Sequence, residues 1–195
     1  MTMNCILAGV GGQGTVLASK LIAQAGLSSG QMVRTAETIG MAQRGGCVVS
    51  HVRTGAHIDS PLVPVGQADI IIGFEPAEAV RNLPYLKKGG TAVVARKAVR
   101  PVTASLTGSA YDGSDMLAYL SQNVERLILV DGEAICQEIG SPKVLNIALL
   151  GAALEALGIE AEQMEAVIRA SVRPQFIEMN LKALHAGMNA ARKEQ

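Results

Sequence analysis

The sequence predicts an α/β domain, three-layered and Rossmann-like, with a mostly parallel sheet and a helical C-terminal third. Three observations carry that expectation. Apolar strand-like runs alternate with helix-like runs as far as residue 131, a glycine-rich turn joins the first strand to the first helix, and helical segments follow one another after Ser141. A length of 195 residues accommodates one sizeable core, so residues 1–195 are read as one domain.

The strand-like runs are "NCILA" (4–8), "QMVRT" (31–35), "CVVSHVRTG" (47–55), "ADIIIGF" (68–74), "GTAVVA" (90–95) and "ERLILVD" (125–131). In "CVVSHVR", Val48, Ser50 and Val52 alternate with Val49, His51 and Arg53, the period of a strand. "TGAH" then supplies a turn, which predicts a hairpin with "HIDSPLV" (57–63). The first helix is expected over "GTVLASKLIAQAGLSSG" (14–30). A second is expected over "EPAEAVRNLPYLKKGG" (75–90), with acids at its start, lysines at its end, a Gly stop, and a break at Pro84. Residues Val99 to Asp115 read as a strand plus a surface loop. Ser141, Pro142 and Gly158 punctuate a helix that is apolar nearly all round and therefore buried on more than one side. Two more helices follow, and Gly187 reads as the cap of the last.

Lys plus Arg and Asp plus Glu both number 17, so no global field draws the chain to nucleic acid or to an anionic membrane. Trp is absent, and two Phe and three Tyr provide no base-stacking platform. No apolar run reaches the ~18 residues of a membrane span and the N-terminus lacks a basic leader, so a cytoplasmic location is expected. Cys5, Cys47 and Cys136 lie far apart and none belongs to a C-x-x-C pair. His51, His57 and His185 have no carboxylate spacing that predicts a metal site or a triad, and His51 reads as a polar strand residue. No catalytic residue and no metal ligand is assigned. The methionines, Met164 and Met188 among them, read as packing or interface filler.

Gly9, Gly11 and Gly14 fit G-x-G-x-x-G between a strand and a helix, the setting in which backbone N–H groups meet a pyrophosphate at a helix N-terminus. Glu37 stands near the place of a ribose-binding acid, just past the expected second strand. Two readings stand side by side: a nucleotide or anion site, or a plain strand-to-helix turn. The loop is not a P-loop, because no G-K-[ST] follows. A second stretch, "ETIGMAQRGGCVVSHVRTG", places Gln43 and Arg44 before Gly45 and Gly46. An Arg beside a glycine pair can grip a phosphate or carboxylate, or it can pair with Glu37 and pin a loop.

Together, "GVGGQGTVLASKLIAQAG" and "ETIGMAQRGGCVVSHVR" resemble the gamma-type domain of the 2-oxoacid:ferredoxin oxidoreductases, and "GMAQRGG" most resembles the beta subunit of the indolepyruvate branch. The resemblance continues through "SPLVPVGQADIIIGFEPAEAVRNLPYLKKGGTAVV", "VLNIALLGAAL" and "MNLKALHAG", nearly the whole chain. One position departs: relatives often have His before "GMAQRGG" where this chain has Ile39, so a polar contact there is not carried over.

The resemblance implies an accessory subunit of a complex that oxidatively decarboxylates indolepyruvate or other aryl pyruvates with coenzyme A, passing electrons to ferredoxin. It also implies a larger catalytic partner that carries thiamine diphosphate and iron–sulfur clusters. This chain has no G-D-G thiamine signature and no cluster-binding cysteine array. The resemblance assigns no cofactor to this chain alone, and links its domain to coenzyme A as the small molecule it would contact in the complex. Gly9, Gly11, Gly12, Gln13, Gly14 and Glu37, with Gln43, Arg44, Gly45 and Gly46, are then expected at an anion-accepting edge beyond the carboxyl ends of the strands. The alternatives are burial of both loops against the partner, or a free-standing dinucleotide-binding oxidoreductase that uses the same loop.

Overall fold

The computed structural model describes residues 2–39, 46–99 and 111–194. Six strands form one sheet in the order β2-β3-β1-β4-β5-β6: β1 (Met3–Val10), β2 (Met32–Ile39), β3 (Cys47–Gly55), β4 (Ala68–Gly73), β5 (Leu86–Ala95) and β6 (Arg126–Val130). Strands β1, β4, β5 and β6 are parallel to one another along the sheet, whereas β3 runs antiparallel to both of its neighbours, β1 and β2. A mostly parallel sheet is therefore present, with one reversed strand.

Helices cover both faces, as a sheet with apolar residues on each side requires. Among the described residues these are α1 (Thr15–Ser28), α2 (Pro76–Asn82), α3 (Ser114–Asn123), α4 (Gly132–Ile139), α5 (Leu145–Leu157), α6 (Ala161–Ser171) and α7 (Ile177–Glu194). On one face, Leu21 and Ile22 of α1, Ile147 and Leu150 of α5 and Leu184 of α7 pack with Leu7, Ile70, Ile72 and Val93 of the sheet. On the other, Ala79 of α2 and Leu120 of α3 cover Ala92 and Val94, while Val63 of the β3–β4 connection covers Ile6, Ala8 and Ile71. Cys5, Ile6, Leu7 and Ala8 are fully buried, which explains why β1 reads as an unbroken apolar run.

Helix α5 fulfils its apolar signature by lying between the sheet and α7. The closeness of that second contact depends on two glycines. A Cβ on Gly187 would overlap the carbonyl oxygen of Ala148 and lie 2.8 Å from its carbon and 3.0 Å from the Ala152 nitrogen. A Cβ on Gly151 would overlap the Leu184 carbonyl oxygen. Gly187 is thus a packing residue inside α7 and not its cap: a backbone crossing this close leaves no room for a methyl group.

Other expectations need correction. Residues 57–63 form no strand, so the hairpin is absent; the connection is held instead by His51 Nδ1 accepting the Val63 N–H at 3.1 Å and by Arg53 donating to the Ser60 and Leu62 carbonyls. Helix α2 ends at Asn82, followed by a single 3-10 turn with Pro84. Lys87 and Lys88 belong to β5 and do not complement a helix dipole. Glu37 lies within β2, not beyond it. Ser141 and Pro142 open a 3-10 turn ahead of α5, and Gly158 ends that helix in the left-handed conformation, as expected. The strand and loop expected over Val99 to Asp115 fall largely outside the described residues, with α3 beginning at Ser114.

Candidate functional site

From β1 the chain passes through α1 to β2 on one side of the sheet, and from β4 through α2 to β5 on the other, with the two helices on opposite faces. The connections that leave the adjacent carboxyl ends of β1 and β4 therefore diverge to opposite faces, which makes this edge the topological switch point, the crevice where open α/β sheets place their ligands. The glycine loop occupies one wall. Residues Glu75 to Arg81, at the start of and within α2, form the other.

Side-chain hydrogen bonds fix the loop's shape. Gln13 accepts the Val10 N–H at 2.7 Å and donates to the Phe74 carbonyl at 2.9 Å, so one amide ties the end of β1 to the end of β4. Gly9 permits this closeness: a Cβ there would lie 2.8 Å from both Gln13 Oε1 and Phe74 Cβ. Gly12 and Gly14 adopt φ +100 and +82, a region that costs other residues about 1–2 kcal/mol. Gly14 also rests against Asn146 at the start of α5, whose amide donates to its carbonyl at 3.4 Å.

Donors at this loop divide into two groups. Gly11 N–H is taken by the Gly46 carbonyl at 2.8 Å and Gln13 N–H by Val10 at 3.2 Å. The first-turn N–H groups of α1 have no intrahelical acceptor, Gly14 offers no side-chain cap, and the first turn holds no acidic residue. The positive end of the α1 dipole is consequently uncompensated by the helix itself, which fits an anionic guest.

Topology brings Gly46, the last glycine of the second stretch, to the same edge. Because β3 is antiparallel to β1, Cys47 pairs with Val10 and Val48 with Gly9, which sets Gly46 directly beside Gly11. Gln43, Arg44 and Gly45 lie outside the described residues. Glu37, opposite Ser50 in the ladder, accepts from Ser19 of α1 at 3.2 Å, so it is tied to the helix that the loop opens.

The α2 wall holds residues that sequence reasoning did not single out. Glu75 is 2% exposed; it caps α2 through the Glu78 N–H at 3.1 Å and accepts from the Tyr111 hydroxyl at 2.6 Å. Burial and that carboxylate push the Tyr111 phenol well above its ordinary range. Glu78 is also buried. One oxygen receives Arg81 Nη1 at 2.9 Å and the Cys47 thiol at 3.2 Å, while Oε2 has no hydrogen-bond partner among the described residues. Arg81 Nη1 reaches Cys47 Sγ at 2.7 Å, with the Arg81 side chain 60% exposed. Partial burial and Glu78 push the Cys47 thiol up despite Arg81, so it stays protonated near neutrality. The available signal was position: the stretch follows directly on the second parallel strand, where its acids read only as helix-dipole partners.

Among the described residues, no group of three or more His, Cys, Asp or Glu side chains is placed to hold a metal ion. Cys5 lies within β1, Cys47 opens β3 and Cys136 lies in α4, well separated along the fold. Among those residues, too, no helix is long and apolar enough to cross a membrane.

The sequence profile described as pyruvate ferredoxin/flavodoxin oxidoreductase matches residues 4–190. Indolepyruvate oxidoreductase subunit IorB of Thermococcus kodakarensis is 36% identical over 194 residues, covering 97% of this chain and 96% of that one. The pyruvate/ketoisovalerate oxidoreductases common subunit gamma of Thermococcus litoralis is 26% identical, covering 90% and 89%. Among solved structures, the keto/oxoacid ferredoxin oxidoreductase gamma subunit of Geobacter sulfurreducens shares the fold, with a TM-score of 0.72, 23% identity, and 98% and 99% of the two chains covered. The crevice between β1 and β4 thus sits in a fold shared with these subunits, and the chain belongs to the pyruvate ferredoxin/flavodoxin oxidoreductase family.

Proposed function

We propose that this chain is the accessory subunit of an indolepyruvate-type 2-oxoacid:ferredoxin oxidoreductase. The single observation that carries the reading is its 36% identity to an indolepyruvate oxidoreductase subunit across nearly the full length of both chains. A match of that extent to subunits of larger oxidoreductases supports an accessory role over a free-standing dinucleotide enzyme. The complex works in the cytoplasm and hands electrons to ferredoxin, with neither nucleic acid nor membrane as a partner. Thiamine diphosphate on the larger partner supplies the carbanion chemistry of decarboxylation, and its iron–sulfur clusters the one-electron steps.

This chain's own contribution is binding and orientation at the crevice. Gly9, Gly11, Gly12, Gln13 and Gly14 present the uncapped start of α1 to the pyrophosphate of coenzyme A. The Gly11–Gly46 hydrogen bond supports assigning the anion-accepting edge to the second stretch as well, with Gln43, Arg44, Gly45 and Gly46 as its further members. Glu37, anchored by Ser19, flanks it on the β2 side. The residues fit an anion because backbone donors, an open Gly12 surface and a helix dipole converge there. Calorimetric titration of coenzyme A into the assembled complex tests the reading, with Arg44→Ala beside wild type. A loss of about tenfold in affinity is expected for removal of a charge-assisted contact. Equal affinities would remove Arg44 from the site.

A further inference from the structure

We infer that Arg81 is a second anion-binding residue of this crevice and that it receives the terminal phosphate monoester of the ligand. The inference rests on the coenzyme A reading above and names a contact on the opposite wall.

The guanidinium is held by two contacts made through one nitrogen. Nη1 donates to Glu78 Oε1 at 2.9 Å and lies 2.7 Å from Cys47 Sγ. Glu78 is itself 5% exposed and fixed in α2 behind the buried cap Glu75, so its carboxylate is a rigid anchor. Cys47 opens β3 directly after Gly46, the residue hydrogen-bonded to Gly11 of the loop. The arginine head is thus pinned to the strand end that borders the glycine loop. Its side chain is 60% exposed, and Nε and Nη2 donate to none of the described residues. An arginine oriented by one nitrogen, with Nε and Nη2 unpartnered among the described residues, is set up for bidentate recognition of a phosphate.

Division of labour between the walls follows from chemistry. Backbone N–H groups at a helix start suit a pyrophosphate, whose charge is spread along a chain of oxygens. A monoester phosphate presents three terminal oxygens and close to two charges, the better match for a planar side-chain fork. Coenzyme A carries both groups. Its 3′-dephospho form lacks only the monoester.

The test is a titration of coenzyme A and of 3′-dephospho-coenzyme A into the assembled complex, wild type and Arg81→Ala, with thermal melts to confirm folding. The expected result is an Arg81→Ala loss of about tenfold for coenzyme A, no change for the dephospho form, and partial recovery in Arg81→Lys. An equal effect of Arg81→Ala on both ligands, including no effect on either, overturns the inference and leaves the coenzyme A reading standing. If the wild-type complex binds neither ligand, that reading falls and takes the inference with it.

Discussion

Replacing Gly187 by Ala sets two effects of opposite sign against each other. In an exposed helix interior the change gains about 0.8–1.0 kcal/mol, because Ala has the higher helix propensity. Here the new methyl would lie 2.8 Å from the Ala148 carbonyl carbon and 3.0 Å from the Ala152 nitrogen, and would overlap the carbonyl oxygen between them. Ordinary contacts of this kind fall near 3.5–4.0 Å, so α5 and α7 must separate by roughly 1 Å. Neither neighbour is a flexible side-chain end. Both are helix backbone, and the surrounding Ile147, Leu149 and Leu184 are buried and packed. Overpacking of a rigid core costs about 1–3 kcal/mol, and a backbone clash belongs at the upper end. The net expectation is a destabilisation of about 2 kcal/mol, or roughly 4–8 °C in Tm for a chain of this size. Thermal and urea melts of the purified chain measure it. A Tm equal to or above that of wild type would show that propensity wins, and would refute the close crossing of α5 and α7. The crossing matters for the site because α5 carries Asn146 against Gly14.

Two further outcomes follow from buried polar groups. Tyr111→Phe removes a 2.6 Å hydrogen bond to a carboxylate that is 2% exposed, and is expected to cost about 1.5–3 kcal/mol in urea unfolding; a change below 0.5 kcal/mol would mean that water or another donor replaces it. Burial holds the His51 imidazole below its ordinary value of 6.5, with Nδ1 accepting the Val63 N–H, so the folded protein binds fewer protons than the unfolded chain as pH falls through that value. The stabilisation from the neutral ring is complete above about pH 7 and declines as pH drops below 6.5, and the Tm difference between pH 7.5 and pH 5.5 should shrink in His51→Gln. An unchanged difference would exclude His51 as a source of the acid sensitivity.

Much of this was legible from local pattern. The apolar runs through Ala8, Gly73 and Ala95 marked the central parallel strands, because a strand buried on both faces must be apolar where it is covered, and the run ending at Val130 marked the partly buried edge strand. What local pattern could not supply were distances between segments. Gly187 has the residue type and place of a helix cap, and only the crossing with Ala148 reveals why the chain needs it there. "HIDSPLV" follows a turn and reads as a hairpin partner, but β3 is already paired on both edges, with β1 and with β2, so no further ladder can form, and His51 and Arg53 bind the backbone of that segment instead. At the site, the two glycine stretches were visible, yet the juxtaposition of Gly46 with Gly11 depends on the reversal of β3, which the sequence does not announce. Cys47, Glu78 and Arg81 meet across 34 positions of sequence, and none belongs to a motif.

The proposed role requires this chain to act only as part of a larger assembly. Native mass spectrometry of the chain isolated anaerobically from its own cells tests this most directly. The expected species is a complex with a larger subunit that retains thiamine diphosphate and iron–sulfur clusters. Isolation of the chain alone, or as a homo-oligomer carrying a dinucleotide, would contradict it.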